Sequence, residues 1–146
     1  MTKQLIVIGV IIVIVLLASQ TILGQFSSLH LIGSRGTVTA KGVGVYWDIN
    51  CSSPVSSLDW GSVKPGSVQN ITVFIRNEGN EPSTLFLNTT NWNPPNASNF
   101  IKLKWDYNEY IIYPQQTTRV TLMLSIAPIT EELKDFNFDI IIGVNG

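Results

Sequence analysis

A chain of 146 residues is long enough for one domain of ordinary size and an appendage. Its 13% charged residues and net charge of −1 provide no electrostatic footprint for nucleic acid. A single cysteine excludes an intramolecular disulfide and a multi-cysteine metal centre, so an apolar core must hold the fold.

The apolar excess is concentrated at the start. Leu5 to Leu17 contains only apolar residues and Gly9, and the apolar character resumes at Ile22-Leu23-Gly24 after Ser19-Gln20-Thr21. As a helix, residues 5–24 would span about 30 Å, the thickness of a bilayer core. Residues 1–24 are therefore predicted to be an N-terminal transmembrane anchor, with the membrane as partner through residues 5–24. A cleaved signal segment is the competing reading, although Leu16 and Leu17 stand where cleavage before Ala18 or Ser19 would require small residues. Lys3 ahead of the apolar run favours a cytoplasmic N-terminus, and Arg35 and Lys41 on the other side pull against it. Residues 25–35 show no strand periodicity and read as a stalk, with His30 on its surface and no metal-ligand partners clustered near it.

Strand patterns are predicted from Gly36, placing the folded domain at 36–146. Thr37 to Ala40 alternates, then Lys41-Gly42-Val43-Gly44 breaks the phase in the manner of a bulge or a bend between sheets. Val43, Val45 and Trp47 resume on one face. Leu58 and Trp60 share a face in a short strand that stops at Pro65-Gly66, a type II turn signal. The central feature is 70–87. Ile71, Val73 and Ile75 form one arm and Leu85 and Leu87 the other, about a turn cluster in which Gly79 is expected to take a positive φ. Asn88 to Ser98 reads as a polar segment, with Pro94-Pro95 excluding helix and central strand. Ile101, Leu103 and Trp105 alternate with lysines, and Val120, Leu122, Leu124 and Ile126 alternate with Thr121, Met123 and Ser125. A helical turn capped by Thr130 is expected over 129–134, and Phe136, Phe138, Ile140 and Ile142 complete the last strand. Seven or eight strands with no long helical period predict an all-β, antiparallel sandwich of the immunoglobulin-like type.

Chemistry-bearing patterns are few. There is no phosphate loop, metal-ligand spacing or nucleophile elbow, so no catalytic residue, cofactor site or metal site is expected. Asp48, Asp59 and Asp106 each stand at a strand end beside an aromatic residue, with nothing in the sequence to bring them together. Trp47, Trp60 and Trp105 are in phase with core positions, and Trp105 closes the Ile101/Leu103 face. Trp92 lies in the polar segment, either plugging the end of the sandwich or anchoring a contact to glycan or protein. Phe74 and Phe86, on the two arms of 70–87, are placed to meet across strands, either covered by a neighbouring loop or strand or offering an apolar contact for self-association. Asn50, Asn70, Asn88 and Asn96 each begin an Asn-x-Ser/Thr triplet, candidate glycosylation sites where chance predicts about two.

Leu58 to Gly66, Val73 to Asn80, Tyr113 to Thr117 and Val120 to Pro128 together resemble the Ig-like domains of the abnormal-spindle/hydin type and related modules of prokaryotic envelope proteins. The resemblance covers most of residues 43–142 and implies a sandwich used for binding or spacing. The chain departs from the pattern at Gln115, where the family often has Gly after Pro, and at Trp60, where Phe is common. With the apolar start and Asn/Thr richness, the chain also resembles small archaeal surface proteins. The expected function is a membrane-tethered, non-enzymatic binding or structural module outside the cytoplasm, with a protein or glycan partner. The alternative is a subunit of an archaellin or type IV pilin-like filament, whose processing normally wants Gly or Ala where this chain has Gln4 after Lys3.

Overall fold

The computed structural model describes residues 31–128 and 133–145. Among these are eight strands and one short helix: β1 (Ile32–Lys41), β2 (Val43–Tyr46), β3 (Ser57–Val63), β4 (Val68–Asn77), β5 (Leu85–Asn93), α1 (Ala97–Phe100), β6 (Ile101–Trp105), β7 (Thr117–Ile126) and β8 (Asp135–Val144). They form two four-stranded sheets in a sandwich-like arrangement, with strand orders β3-β1-β8-β5 and β2-β4-β7-β6. The anchor assigned to residues 5–24, His30 and the helical turn at Thr130 lie outside the described residues.

The strands with the clearest alternation supply the centre of the core. Val120, Leu122, Leu124 and Ile126 of β7 are buried against Phe136, Phe138, Ile140 and Ile142 of β8 and their neighbours. Each such side chain contributes about 1.5–3 kcal/mol through removal from water. Val73 and Ile75 of β4 and Leu85 of β5 join the same core. In β3 the buried set is Leu58, Trp60 and Val63, a spacing of two and then three. A bulge opposite Ser34 and Arg35, with Gly61 at φ +68°, absorbs the extra residue and returns Val63 to the inner face.

The structure differs from the sequence expectation in several places. The first strand begins at Ile32, which is fully buried, so residues 32–35 belong to the sheet and not to a stalk. Their period is hidden because Ser34 and Gly36 occupy the inward positions after Ile32. A Cβ at Gly36 would lie 2.8 Å from Ile140 Cδ1, so the inner face there has no room for a side chain. A fragment begun at Gly36 would lose Ile32 from the core, and a soluble domain has to begin at Leu31 or earlier. The sheets are also not wholly antiparallel, because β1 runs parallel to β8 from Gly33–Asp135 to Lys41–Gly143. The two arms of 70–87 do not pair with each other. β4 and β5 lie in opposite sheets, so the segment between them is a crossing, and Gly79 is not in the positive-φ region.

Trp47 is 44% exposed, not core. The Asp48 carboxylate accepts the backbone N–H groups of Ser52 and Ser53, which turns the chain immediately after Tyr46 and ends the alternation. Trp105 is half-buried where full burial is predicted. The polar segment from Asn88 continues β5 as an edge strand to Asn93, where a cis Asn93–Pro94 bond leads into α1.

Two readings of turns agree with the structure. Gly42 (φ +71°) is the bend that carries the chain from β1 in one sheet to β2 in the other. Lys64-Pro65-Gly66-Ser67 closes with Ser67 N–H donating to Lys64 C=O at 3.1 Å and Gly66 at φ +74°. A second turn of this kind occurs at Tyr113-Pro114-Gln115-Gln116, where Gln116 N–H donates to Tyr113 C=O at 3.0 Å. Here the left-handed position is held by Gln115 (φ 62°). Relief of left-handed strain exceeds the added flexibility of glycine, so Gln115→Gly is expected to stabilise the domain by about 0.5–1 kcal/mol. Urea midpoints check this, and an unchanged or lowered midpoint would show that the Gln115 side chain makes a compensating contribution.

Candidate functional site

The three aromatic residues picked out from the sequence occupy three different places. Phe74, in β4, is half-buried in a row between Tyr46 and Arg119. Phe86, in the other sheet, lies over Gly143 of β8, where an added Cβ would be 2.7 Å from its ring. The two therefore do not meet; one covers a glycine on one sheet and the other belongs to the opposite sheet. Trp92 is stacked on Phe138, with ring centroids 4.2 Å apart and planes at 8°, and lies 6.4 Å from Phe136. It packs against the core as a plug, away from Tyr107 and Tyr110.

The carboxylates are not brought together either. Asp48 holds its own turn, which keeps its carboxyl below the usual range through the Ser52 and Ser53 N–H bonds despite partial desolvation. Asp106, just past the end of β6, accepts from Thr121 N–H, whereas Asp59 lies within β3 and not at its end, accepting from Gly61 N–H across the bulge. Among the described residues no group of three or more His, Cys, Asp and Glu side chains could hold a metal ion. Cys51 is partly exposed, with Sγ 3.4 Å from Thr117 Oγ1.

Beside β2, Tyr46 donates its hydroxyl to Glu78, and Arg76 Nη2 donates to the same Glu78 oxygen at 2.7 Å and to the Tyr46 hydroxyl at 3.1 Å. The guanidinium also lies over the Tyr46 ring at 5.2 Å. The bond to the Glu78 carboxylate retains the Tyr46 proton and raises its pKa, with burial adding to the effect. The Glu78 carboxyl is correspondingly lowered, first by Tyr46 and then by Arg76. This cluster ties the end of β4 to the edge strand.

The structure does gather one set of exposed apolar groups. The loop from β6 to β7, residues 106–116, lies at the end of the sandwich where β4, β6 and β8 finish, opposite the end at which Leu31 leads into β1. In it Tyr110 is 44% exposed, Ile111 54% and Tyr113 60%. Ile112 between them is fully buried, and its N–H and C=O pair with Ser83. Tyr107 is buried beneath the loop, donating its hydroxyl to Tyr110 C=O and accepting Leu85 N–H at 3.1 Å. Burial raises its pKa, against the opposing effect of the Leu85 bond. Next to the loop, a groove of about 460 Å³ separates the free edges of β5 and β6, with Leu87, Leu103 and Trp105 inside and Lys104, Glu109 and Asn145 among its lining.

No protein-family model matches the chain, and no curated protein matches it.

The loop and groove form the candidate contact surface. They were not legible as a site because alternation within 110–113 hides one residue and exposes its neighbours, a distinction decided by the pairing of Ile112 with Ser83. The available signal was Tyr107, Tyr110 and Tyr113 at regular spacing in a Pro/Asn/Glu segment. The asparagines of the four triplets, Asn50, Asn70, Asn88 and Asn96, are all exposed, with Asn88 in strand β5 and Asn96 at the start of α1.

Proposed function

We propose that this chain is a membrane-tethered immunoglobulin-like domain outside the cytoplasm, acting as a non-enzymatic binding or structural module at the cell surface. The observation that carries it is the position of Ile32, the first residue of β1, which leaves only residues 25–31 between the apolar run and the sheet. A span of bilayer length joined so closely to a sandwich holds the domain against the membrane surface. The contact loop at the far end then faces outward.

The immunoglobulin-like reading is supported by strand order. With β2, β4, β5, β6, β7 and β8 taken as A to F, one sheet has the order A-B-E-D and the other contains the C-F pair of a constant-type domain. The place of strand G beside F is taken by β1, running parallel to it. The resemblance to abnormal-spindle/hydin-type and envelope modules agrees with this order. Lys3 ahead of the apolar run supports the orientation.

The test is protease added to intact cells, with a cytoplasmic protein as the protected control. Digestion of the β-domain before lysis is the expected result, and protection until lysis would reverse the orientation.

The same short joint favours a second reading, a filament subunit of archaellin or type IV pilin type with a helical core and a β-sandwich head. The mature N-terminus separates the two. Retention of Met1 or Thr2 identifies a tether, and a cut near Lys3 identifies a filament subunit.

A further inference from the structure

The asparagines of the four Asn-x-Ser/Thr triplets carry exposed side chains with uncommitted amide nitrogens, which they share with Asn80 and Asn108 among others but not with three asparagines engaged in the fold. Asn77, Asn91 and Asn145 commit their side-chain nitrogens to hydrogen bonds, with Glu81 and Ile112 carbonyls, with Asp139 and with Thr84 respectively. Among the described residues, Asn50, Asn70, Asn88 and Asn96 leave Nδ2 without a partner; Asn88 uses only Oδ1, accepting Thr89 N–H at 2.8 Å. All four are exposed, and each has its hydroxyl residue two positions on, at Ser52, Thr72, Thr90 and Ser98.

We infer that these four asparagines are acceptors of N-linked glycan. The inference rests on the extracytoplasmic reading above, since the lipid-linked donor sugar is presented on that side of the membrane. Asn Nδ2 attacks the anomeric carbon of a polyprenyl-phosphate-linked oligosaccharide. The Nδ2–C1 bond forms, the C1–O bond to phosphate breaks, the lipid phosphate leaves with the electron pair, and one amide proton passes to a base of the transferase.

Placement in the fold distinguishes the sites. Asn50 lies in the turn after β2 and Asn96 at the entry to α1, both outside the strand ladders. Asn70 and Asn88 are held in register opposite Met123 and Ile141. A transferase needs the acceptor backbone to adapt to its own site, so occupancy is highest at Asn50 and Asn96 if transfer follows folding. A glycan on Asn88 stands on an edge strand, where bulk and hydration oppose strand addition by another chain. The 106–116 loop contains no such triplet, so Tyr110, Ile111 and Tyr113 stay uncovered for contact.

The experiment uses the full chain purified from membranes of the cells that make it, with peptide mass spectrometry across all four positions. Sugar-mass additions on these peptides are expected, lost site by site in Asn50→Gln, Asn70→Gln, Asn88→Gln and Asn96→Gln. Thr72→Ala and Thr90→Ala should abolish addition at Asn70 and Asn88, and Thr72→Ser and Thr90→Ser should retain it. Four unmodified peptides would overturn the inference. Protease accessibility on the same cells then separates the causes: digestion leaves the surface reading standing without the glycans, and protection removes both.

Discussion

Asn77→Ala is expected to destabilise the domain by about 3–5 kcal/mol, a loss far larger than its size suggests. Asn77 is 1% exposed and joins three stretches of chain at the loop end of the sandwich. Its Nδ2 donates to Glu81 C=O at 2.8 Å and Ile112 C=O at 2.9 Å, and its Oδ1 accepts Gly79 N–H at 2.9 Å. Its backbone completes the junction, donating to Gln116 C=O and accepting Gln115 N–H. Alanine leaves the Glu81 carbonyl and the Gly79 N–H without this partner, each at a cost of about 1–3 kcal/mol before relaxation, and removes the buried bond to the Ile112 carbonyl, which keeps only Ser83 N–H. Chemical denaturation is the measurement, and a midpoint within error of wild type would show that water replaces the side chain. Asn77→Asp adds a sharper test. The carboxylate cannot donate to the two carbonyls, and burial raises its folded pKa above the unfolded value. The stability of this variant is then greatest below the unfolded carboxyl pKa and is lost as pH rises through the folded one. A pH-independent difference from wild type would contradict this account.

The second large effect is expected at Phe138. Phe138→Ala removes one of the largest fully buried side chains and should cost about 3–5 kcal/mol. Trp92 makes the case specific, because its ring lies 4.2 Å from Phe138 in a stacked pair and covers that part of the core from the edge strand. Trp92→Ala should cost about 2–3 kcal/mol, since part of its surface is already in water. In a double-mutant cycle the two losses should fall short of additivity by about 0.5–1.5 kcal/mol, the worth of an aromatic pair. Strict additivity would mean that Trp92 is held by other contacts. Trp105, which closes the Ile101/Leu103 face in the sequence pattern, should be the milder site at about 2 kcal/mol because it is only half-buried beside the groove.

These positions differ in how far they can be read from the sequence. Phe138 was legible because it belongs to an unbroken alternation, Phe136, Phe138, Ile140 and Ile142, and all four are buried as that pattern requires. Asn77 was legible only as part of a polar turn, because its partners at Ile112 and Gln116 come from a loop far along the chain. The candidate contact surface has the same character. Tyr110, Ile111 and Tyr113 resemble any loop aromatics until the pairing of Ile112 with Ser83 turns them outward. Phe74 and Phe86 match only if their arms are neighbours, and β4 and β5 lie in opposite sheets.

The sequence by itself determined the all-β class, the inward faces of β7 and β8, the Pro65-Gly66 turn and the bend at Gly42. Each of these depends on alternation, fixed φ or turn chemistry within a few residues, which local sequence carries directly. Tertiary structure alone decided that β4 and β5 lie in opposite sheets and that β1 starts at Ile32 and runs parallel to β8. It also decided that Trp47 points to solvent. Sheet membership and strand direction depend on which distant backbone satisfies each N–H and C=O, and side-chain periodicity is the same whichever partner is chosen.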